Sequence, residues 1–214
     1  MNVIYIHVCC INNYKEVFAG LMSCIKDSGL YNHVKEIRCC ILGEYDETLF
    51  QDEKIVIRAT SPDISLYEVF TVNTLYHDCK KENFNVLYLH TKGVSKPTNE
   101  FIKDWTDMMC YFNIYKFETC IQLLENNDSV GVNLLNSPEC HYSGNFWWSK
   151  SSYINRLDEC VYTCYNSPEF WLNERRMGRY VSLWNSYCYH YKYHYPKECY
   201  ENKLILPTMF DFTS

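Results

Sequence analysis

The chain has 214 residues, 47% hydrophobic and 21% charged, ordinary globular values that exclude disorder and fibrous repeats. A chain this long buries about 70% of its unfolded surface, so its core needs neither disulfide nor metal. Its formal net charge of −6 is the wrong sign for the basic face that nucleic acid requires, and no nucleic-acid partner is expected.

Residues 3–10, VIYIHVCC, form an apolar run rich in β-branched and aromatic side chains and read as a buried strand. Asn12 and Asn13 then offer a helix N-cap, and Val17, Leu21, Cys24 and Ile25 recur at helical spacing up to Ser28 and Gly29. Strands are predicted over 36–42 and 54–58. A helix is predicted over 65–81, capped by Ser65 and carrying Leu66, Val69, Phe70, Leu75 and Tyr76 on one side. Residues 85–89, NVLYL, are another apolar strand, ending in His90-Thr91-Lys92-Gly93. One long amphipathic helix is expected over 99–126, then strands over 128–134 and 144–148 and short helices over 151–159 and 168–178. The aromatic tail, residues 180–214, shows no clear period.

Strands alternating with helices over the first 135 residues imply βαβ crossovers, hence one α/β domain with a mainly parallel central sheet flanked by helices. No Pro/Gly/Ser-rich linker and no repeat divides it. Ligands of such sheets bind beyond the carboxyl ends of the strands, which points to residues 9–13, 58–62 and 90–96 as one rim.

The 13 cysteines are odd in number, and the vicinal pairs Cys9-Cys10 and Cys39-Cys40 lie in strand-like runs where neighbours face opposite ways. They read as free thiols in a reducing compartment, the cytoplasm. Cys188, His190, His194 and Cys199 have zinc-ligand chemistry, but their spacing matches no closed structural site, and no metal ligands are assigned. The start of the chain is too polar and short for a signal peptide. No stretch of about 18 apolar residues suggests a membrane span.

Phosphate-loop, GxGxxG, HExxH, GxSxG and EF-hand patterns are all absent. What remains is an ordered set of segments: VLYLHTKG (86–93), HYSGNFWW (141–148) and PEFWLNERRMGRY (168–180). In this order they resemble GT-A type glycosyltransferases, and in particular viral and bacterial glycosyltransferase-like proteins of surface glycans, including capsid-glycan enzymes of large DNA viruses. The resemblance implies a single GT-A-like domain over 1–214, with a nucleotide-binding part at 1–98 and an acceptor-side part at 99–214. It implies transfer of a hexosyl or deoxyhexosyl group from a nucleoside-diphosphate sugar, UDP-linked, to a glycan or glycoprotein acceptor.

In that family the strand matching VLYL leads into an acidic DxD motif that holds Mn or Mg against the donor diphosphate. Here the position reads His90-Thr91-Lys92, with no carboxylate. A Lys92 ammonium aimed at the same oxygens supplies part of the cation's charge where water is excluded. Donor contacts are expected from Cys10, Asn12, Thr60, Thr71, His90, Thr91 and Lys92. Acceptor contacts are expected from Asn145 and at least one of Trp147 and Trp148, whose indoles suit the apolar faces of sugars. Glu169, after Pro168 at the head of a helix, matches the acidic helix start that supplies a catalytic base, since a sugar hydroxyl needs a carboxylate to take its proton. The missing acidic motif supports a second expectation, a catalytically inactive nucleotide- or carbohydrate-binding module of the same fold. A third is a structural domain of a larger viral assembly.

Overall fold

The computed structural model describes residues 1–213, so of the aromatic tail Ser214 lies outside the described residues. Strand β1 (Asn2–Cys9) has both faces covered, which its continuous apolar run demands. Ile4, Ile6 and Val8 enter one core and Val3 and Tyr5 the other, the period-two alternation of a strand. Helix α1 (Tyr14–Asp27) covers the first face through Phe18, Leu21 and Ile25. Strands β2 (Ile37–Leu42) and β3 (Ile55–Ser61) follow, then helix α2 (Val69–Cys79), which covers the opposite face through Val72 and Leu75. Strand β4 (Asn85–His90) closes this half.

The predicted single helix over 99–126 is broken. Helix α3 (Glu100–Cys110) passes through a π-helical turn at Tyr111–Tyr115 before α4 (Phe117–Leu124). At that turn the Asn113 carbonyl accepts the Trp148 indole N–H at 2.8 Å, and the Asn113 amide donates to the Met109 carbonyl at 3.0 Å. A backbone acceptor taken up by tertiary packing is the physical reason for the break.

The remaining elements are β5 (Ser129–Gly131), β6 (Leu134–Leu135), β7 (His141–Tyr142), β8 (Trp147–Lys150), α5 (Ser151–Ile154), α6 (Ser167–Trp171), β9 (Arg179–Ser182) and β10 (Thr208–Asp211). The main sheet has eight strands in the order β10-β9-β5-β8-β4-β1-β2-β3, and β6 pairs with β7 apart from it. Strands β3, β2, β1 and β4 run parallel, whereas β8 is antiparallel to both β4 and β5. The fold is therefore a single α/β domain with a mostly parallel sheet flanked by helices. The pairing of β4 with β8 carries the sheet across the division expected at residue 98.

A buried ion network braces the β1–β2–α2 contact. Arg38 bonds Glu36 and Glu82 at 2.6 Å and the Tyr5 hydroxyl at 3.0 Å, Arg58 bonds Asp78 at 2.6 Å, and Tyr5 donates to Asp78. All 13 cysteines are free thiols, and Cys39 and Cys40 enter opposite cores as their strand positions require. No helix among the described residues is long and apolar enough to cross a membrane.

Candidate functional site

The chain lays β2 and β3 on one side of β1 and then returns to place β4 on the other. With α1 and α2 on opposite faces, a crevice opens outside the carboxyl ends of β1 and β4, the switch point where α/β sheets bind ligands. A cleft of about 350 Å³ lies there. It is lined by His7 and Cys9 from the end of β1, His90–Lys92 from the end of β4, and Glu68 from the start of α2.

Hydrogen bonds continue the strand pairing into the loops. The Thr91 N–H donates to the His7 carbonyl at 3.0 Å, and the Cys9 N–H to the Thr91 hydroxyl at 3.0 Å. Asn12, in the left-handed region at φ 49°, donates its side-chain amide to the Val94 carbonyl at 2.6 Å. Asn12 and Thr91 thus fasten the two loops together beneath the cleft.

Of the two lysines among the described residues that line the crevice, Lys92 is half-buried in the wall and Lys96 stands exposed on the rim. The Lys92 ammonium lies 3.8 Å above the centre of the Trp105 ring. Among the described residues it has no ion pair within 4.0 Å, and the carboxylates that act on it through charge are Glu169 and Glu68. Burial lowers its pKa below the usual lysine value, and the two carboxylates partly oppose this.

Glu68 and His90 form the other wall. Glu68 Oε2 accepts from the Tyr88 hydroxyl and from the Asn145 amide, both at 2.8 Å. The Asn145 carbonyl oxygen accepts the Trp147 indole N–H at 2.8 Å, which fixes the amide orientation. His90 Nε2 lies 3.0 Å from the Gly144 carbonyl, and its Nδ1 is 3.6 Å from Glu68 Oε1. Burial, assisted by Lys92, pushes the His90 imidazole down to about 3, so the ring is neutral at physiological pH. Burial likewise pushes His7, bonded to the Thr71 hydroxyl at 2.7 Å, down to about 4.

The rim is aromatic: Tyr67, Tyr165 and Tyr191 line it, and Tyr162 stacks on Tyr67 at 5.6 Å with ring planes 9° apart. These exposed rings are surfaces on which a sugar or a base can lie.

Of the expected site residues, the fold gathers Asn12, His90, Thr91, Lys92, Asn145 and Glu169 around this crevice. Glu169, in the first turn of α6, accepts the Gly144 N–H at 2.6 Å on Oε1, and so holds the loop whose carbonyl bonds His90. Others lie elsewhere. Thr60 is exposed on the edge strand β3, and the rim is built from Ile64–Glu68 rather than from residues 58–62. Thr71 is fully buried below the cleft against His7. Cys10 is tied to β2 through its N–H, 2.8 Å from the Leu42 carbonyl, and does not line the cleft. Trp147 and Trp148 are both core residues on opposite faces of the sheet, because helices cover both faces, and neither offers an acceptor platform.

Sequence reasoning missed Glu68, Tyr67, Tyr165, Tyr191 and Trp105. The helix expected from Ser65 starts at Val69; Asp63 instead caps a 3-10 turn at Ile64–Leu66, and Tyr67 sits at φ 48°. That break swings Glu68 into the cleft. Of the suggested zinc ligands, His194 bonds Asp104 at 2.8 Å and His190 stacks on Trp105 at 5.2 Å. No group of three or more His, Cys, Asp or Glu among the described residues is placed to hold a metal ion. The cleft is lined by one carboxylate, Glu68, with His7, His90 and Cys9 and the Lys92 ammonium, a set with too few hard oxygen donors for the divalent ion implied by the glycosyltransferase resemblance.

Gly144 is critical to this geometry. It lies at φ 95°, and a Cβ there would meet Met109 Sδ and come within 3.0 Å of the Trp105 ring. Gly144→Ala is expected to destabilise the fold by about 2 kcal/mol or more, from left-handed strain and overpacking. An unchanged urea midpoint would refute this.

The model of a family described as a domain of unknown function (DUF8361) matches residues 46–195, more than half of the chain, and the chain belongs to that family. The matched segment contains Glu68, His90, Lys92, Asn145, Glu169 and Tyr191. No curated protein and no solved structure matches the chain.

Proposed function

We propose that this member of the DUF8361 family is a glycosyltransferase that moves a sugar from a nucleoside-diphosphate donor to a glycan hydroxyl. The observation that carries the proposal is Lys92: a half-buried ammonium at the switch point of a mostly parallel sheet, resting on Trp105 with no ion pair within 4.0 Å among the described residues. A half-buried ammonium whose pKa burial lowers, with no ion pair to hold it, is the kind of group that concentrates at functional sites. In a chain of net charge −6, an unpaired ammonium in the cleft wall suits a compact anion, and a diphosphate is the anion that the resemblance implies. The opposite wall supplies hydrogen-bond acceptors and the rim supplies tyrosine rings, features suited to the hydroxyls and flat faces of a sugar nucleotide.

In this mechanism the donor lies across the ends of β1 and β4 with its diphosphate against Lys92. As the bond from the sugar to the diphosphate lengthens, negative charge grows on the leaving oxygen. Lys92 offsets it from a fixed position in a partly dry site, where such a charge acts far more strongly than in water. A carboxylate takes the proton of the attacking hydroxyl. Each of these steps draws on this chain's own residues alone.

Ligand-induced stabilisation tests the proposal. UDP at a hundred times its dissociation constant adds about 2.7 kcal/mol to stability, a rise in Tm of roughly 5–10 °C for a domain of this size. The rise should appear without added metal and vanish in Lys92→Ala. Absence of a shift with uridine, guanosine and adenosine diphosphates, with and without Mn, would overturn the proposal. Binding of UDP without turnover of any UDP-sugar would favour the inactive binding module, which the missing acidic motif supports.

A further inference from the structure

We propose that Glu68 is the catalytic residue that takes the acceptor hydroxyl's proton, with His90 as its positioning partner: the two converge on one point of the cleft as hydrogen-bond acceptors with no protein donor between them. This rests on the glycosyl-transfer reading and assigns the base to a residue outside every segment that carried the resemblance.

The hydrogen bonds fix the roles of the atoms. The Gly144 carbonyl can only accept, so His90 Nε2, 3.0 Å away, carries the ring proton. Because the ring is neutral, its Nδ1 presents a lone pair. That lone pair faces Glu68 Oε1 at 3.6 Å, and two acceptors at that separation make no bond with each other. The other carboxylate oxygen is already engaged by Tyr88 and by Asn145, itself oriented by Trp147. The Glu68 carboxylate is thus clamped at one oxygen and open at the other. Both atoms face the cleft with no donor from the protein, and a polyhydroxylated ligand brings two: one hydroxyl for Oε1 and a neighbouring one for Nδ1.

Glu169 is placed differently. Its Oε1 is committed to the Gly144 N–H at 2.6 Å, and it does not line the cleft, whereas Glu68 does. By holding the 144 loop it keeps the carbonyl that orients His90. Glu169 is therefore a positioning residue for the Glu68–His90 pair.

The step balances without a further reactant. The acceptor O–H bond breaks and its proton passes to Glu68 Oε1, while the hydroxyl oxygen forms the new bond to the anomeric carbon of the donor sugar. The bond from that carbon to the diphosphate breaks, and its electron pair leaves with the diphosphate, whose charge Lys92 meets. Glu68 and Lys92 line the same cleft, so both ends of the transfer are served.

The test pairs UDP calorimetry with turnover of a UDP-sugar panel, read as UDP release. Glu68→Gln keeps an oxygen for Tyr88 and Asn145 and should retain its Tm. It should lower kcat by about 100-fold to 10,000-fold while leaving the Kd for UDP within about twofold of the unsubstituted protein. Glu68→Asp withdraws the carboxylate by about one bond and should cost about a hundredfold in kcat, again without loss of UDP. In Glu68→Ala, formate should restore part of kcat, a rescue that a purely structural role would not give. Wild-type kcat in Glu68→Gln, together with loss of kcat in Glu169→Gln, would overturn the assignment and leave glycosyl transfer standing. Failure of the unsubstituted chain both to bind UDP and to turn over any UDP-sugar would overturn the underlying reading as well.

Discussion

Lys92→Ala is expected to slow sugar transfer by about 100-fold to 1,000-fold, the usual loss when one preorganised group at a developing charge is removed. The geometry makes the loss hard to compensate. The ammonium is fixed above the Trp105 ring at 3.8 Å, and the other lysine of the cleft, Lys96, sits on the exposed rim with its ammonium 4.9 Å from the Tyr191 ring. Two carboxylates act on Lys92 through charge, so the substitution also leaves Glu68 and Glu169 facing an incoming diphosphate with only the exposed Lys96 at the rim. UDP affinity should therefore fall together with kcat, in contrast to Glu68→Gln. Lys92→Arg should recover only part of the activity. A guanidinium can stack on the indole, but it spreads its charge over a plane where the site is shaped for a compact ammonium. Turnover should persist in a metal chelator. Strict dependence on Mn, with an indifferent Lys92→Ala, would show that a metal held by other groups carries the charge instead.

The half of the site built on strand ends was legible in the sequence, for a physical reason. Fully buried parallel strands must read as continuous apolar runs, and VIYIHVCC and NVLYL do so until polar residues mark their ends. The switch-point rule then places residues 9–13 and 90–96 together, and the Asn12–Val94 and Cys9–Thr91 bonds join them. The other half was not legible. Glu68 looks like an ordinary first-turn acid of a helix starting at Ser65. What exposes it is a single residue, Tyr67, in a left-handed conformation that side-chain chemistry does not announce.

Trp147 and Trp148 show the limit of periodicity. Alternation correctly sends adjacent residues to opposite faces, but it does not say whether both faces are covered. Here α1, α3 and α4 cover one and α2, α5 and α6 the other, and each indole has its own acceptor, Asn145 or Asn113. The tail was opaque for a similar reason. Residues 187–195 alternate tyrosine with polar residues, yet they follow the surface irregularly. His190 stacks on Trp105 with planes 8° apart, and Tyr191 meets the same ring edge-on at 5.1 Å. Only tertiary contact brings them to the cleft.

The same enclosure predicts that acid unfolds the chain from about pH 6.5 downward. Burial pushes His7, His90 and His190 from 6.5 down to about 4, 3 and 4. Between these values and 6.5 the unfolded chain binds protons that the folded chain refuses, so stability rises with pH through this window and is lost as pH falls. Each histidine contributes up to about 1.4 kcal/mol per pH unit, or about 5 kcal/mol for the three between pH 7 and pH 5. That is a large part of the stability of an ordinary domain. Carboxylates such as Asp46 and Asp52, held down to about 2, lose their contribution in more acid solution, below the usual carboxylate pKa of 3.8, and leave the histidine window distinct. Lys92 is the second cause, after burial, of the shifts at His90 and His190. Burial thus keeps the two imidazoles uncharged and Lys92 adds to it, which preserves Nδ1 of His90 as an acceptor for substrate. Urea midpoints measured at half-unit steps from pH 7 to pH 5 should fall steeply in the unsubstituted chain and less steeply in Lys92→Met. A flat profile would mean that the three imidazoles gain protons without opening the fold. Equal slopes in the two proteins would leave burial alone as the cause of the histidine shifts.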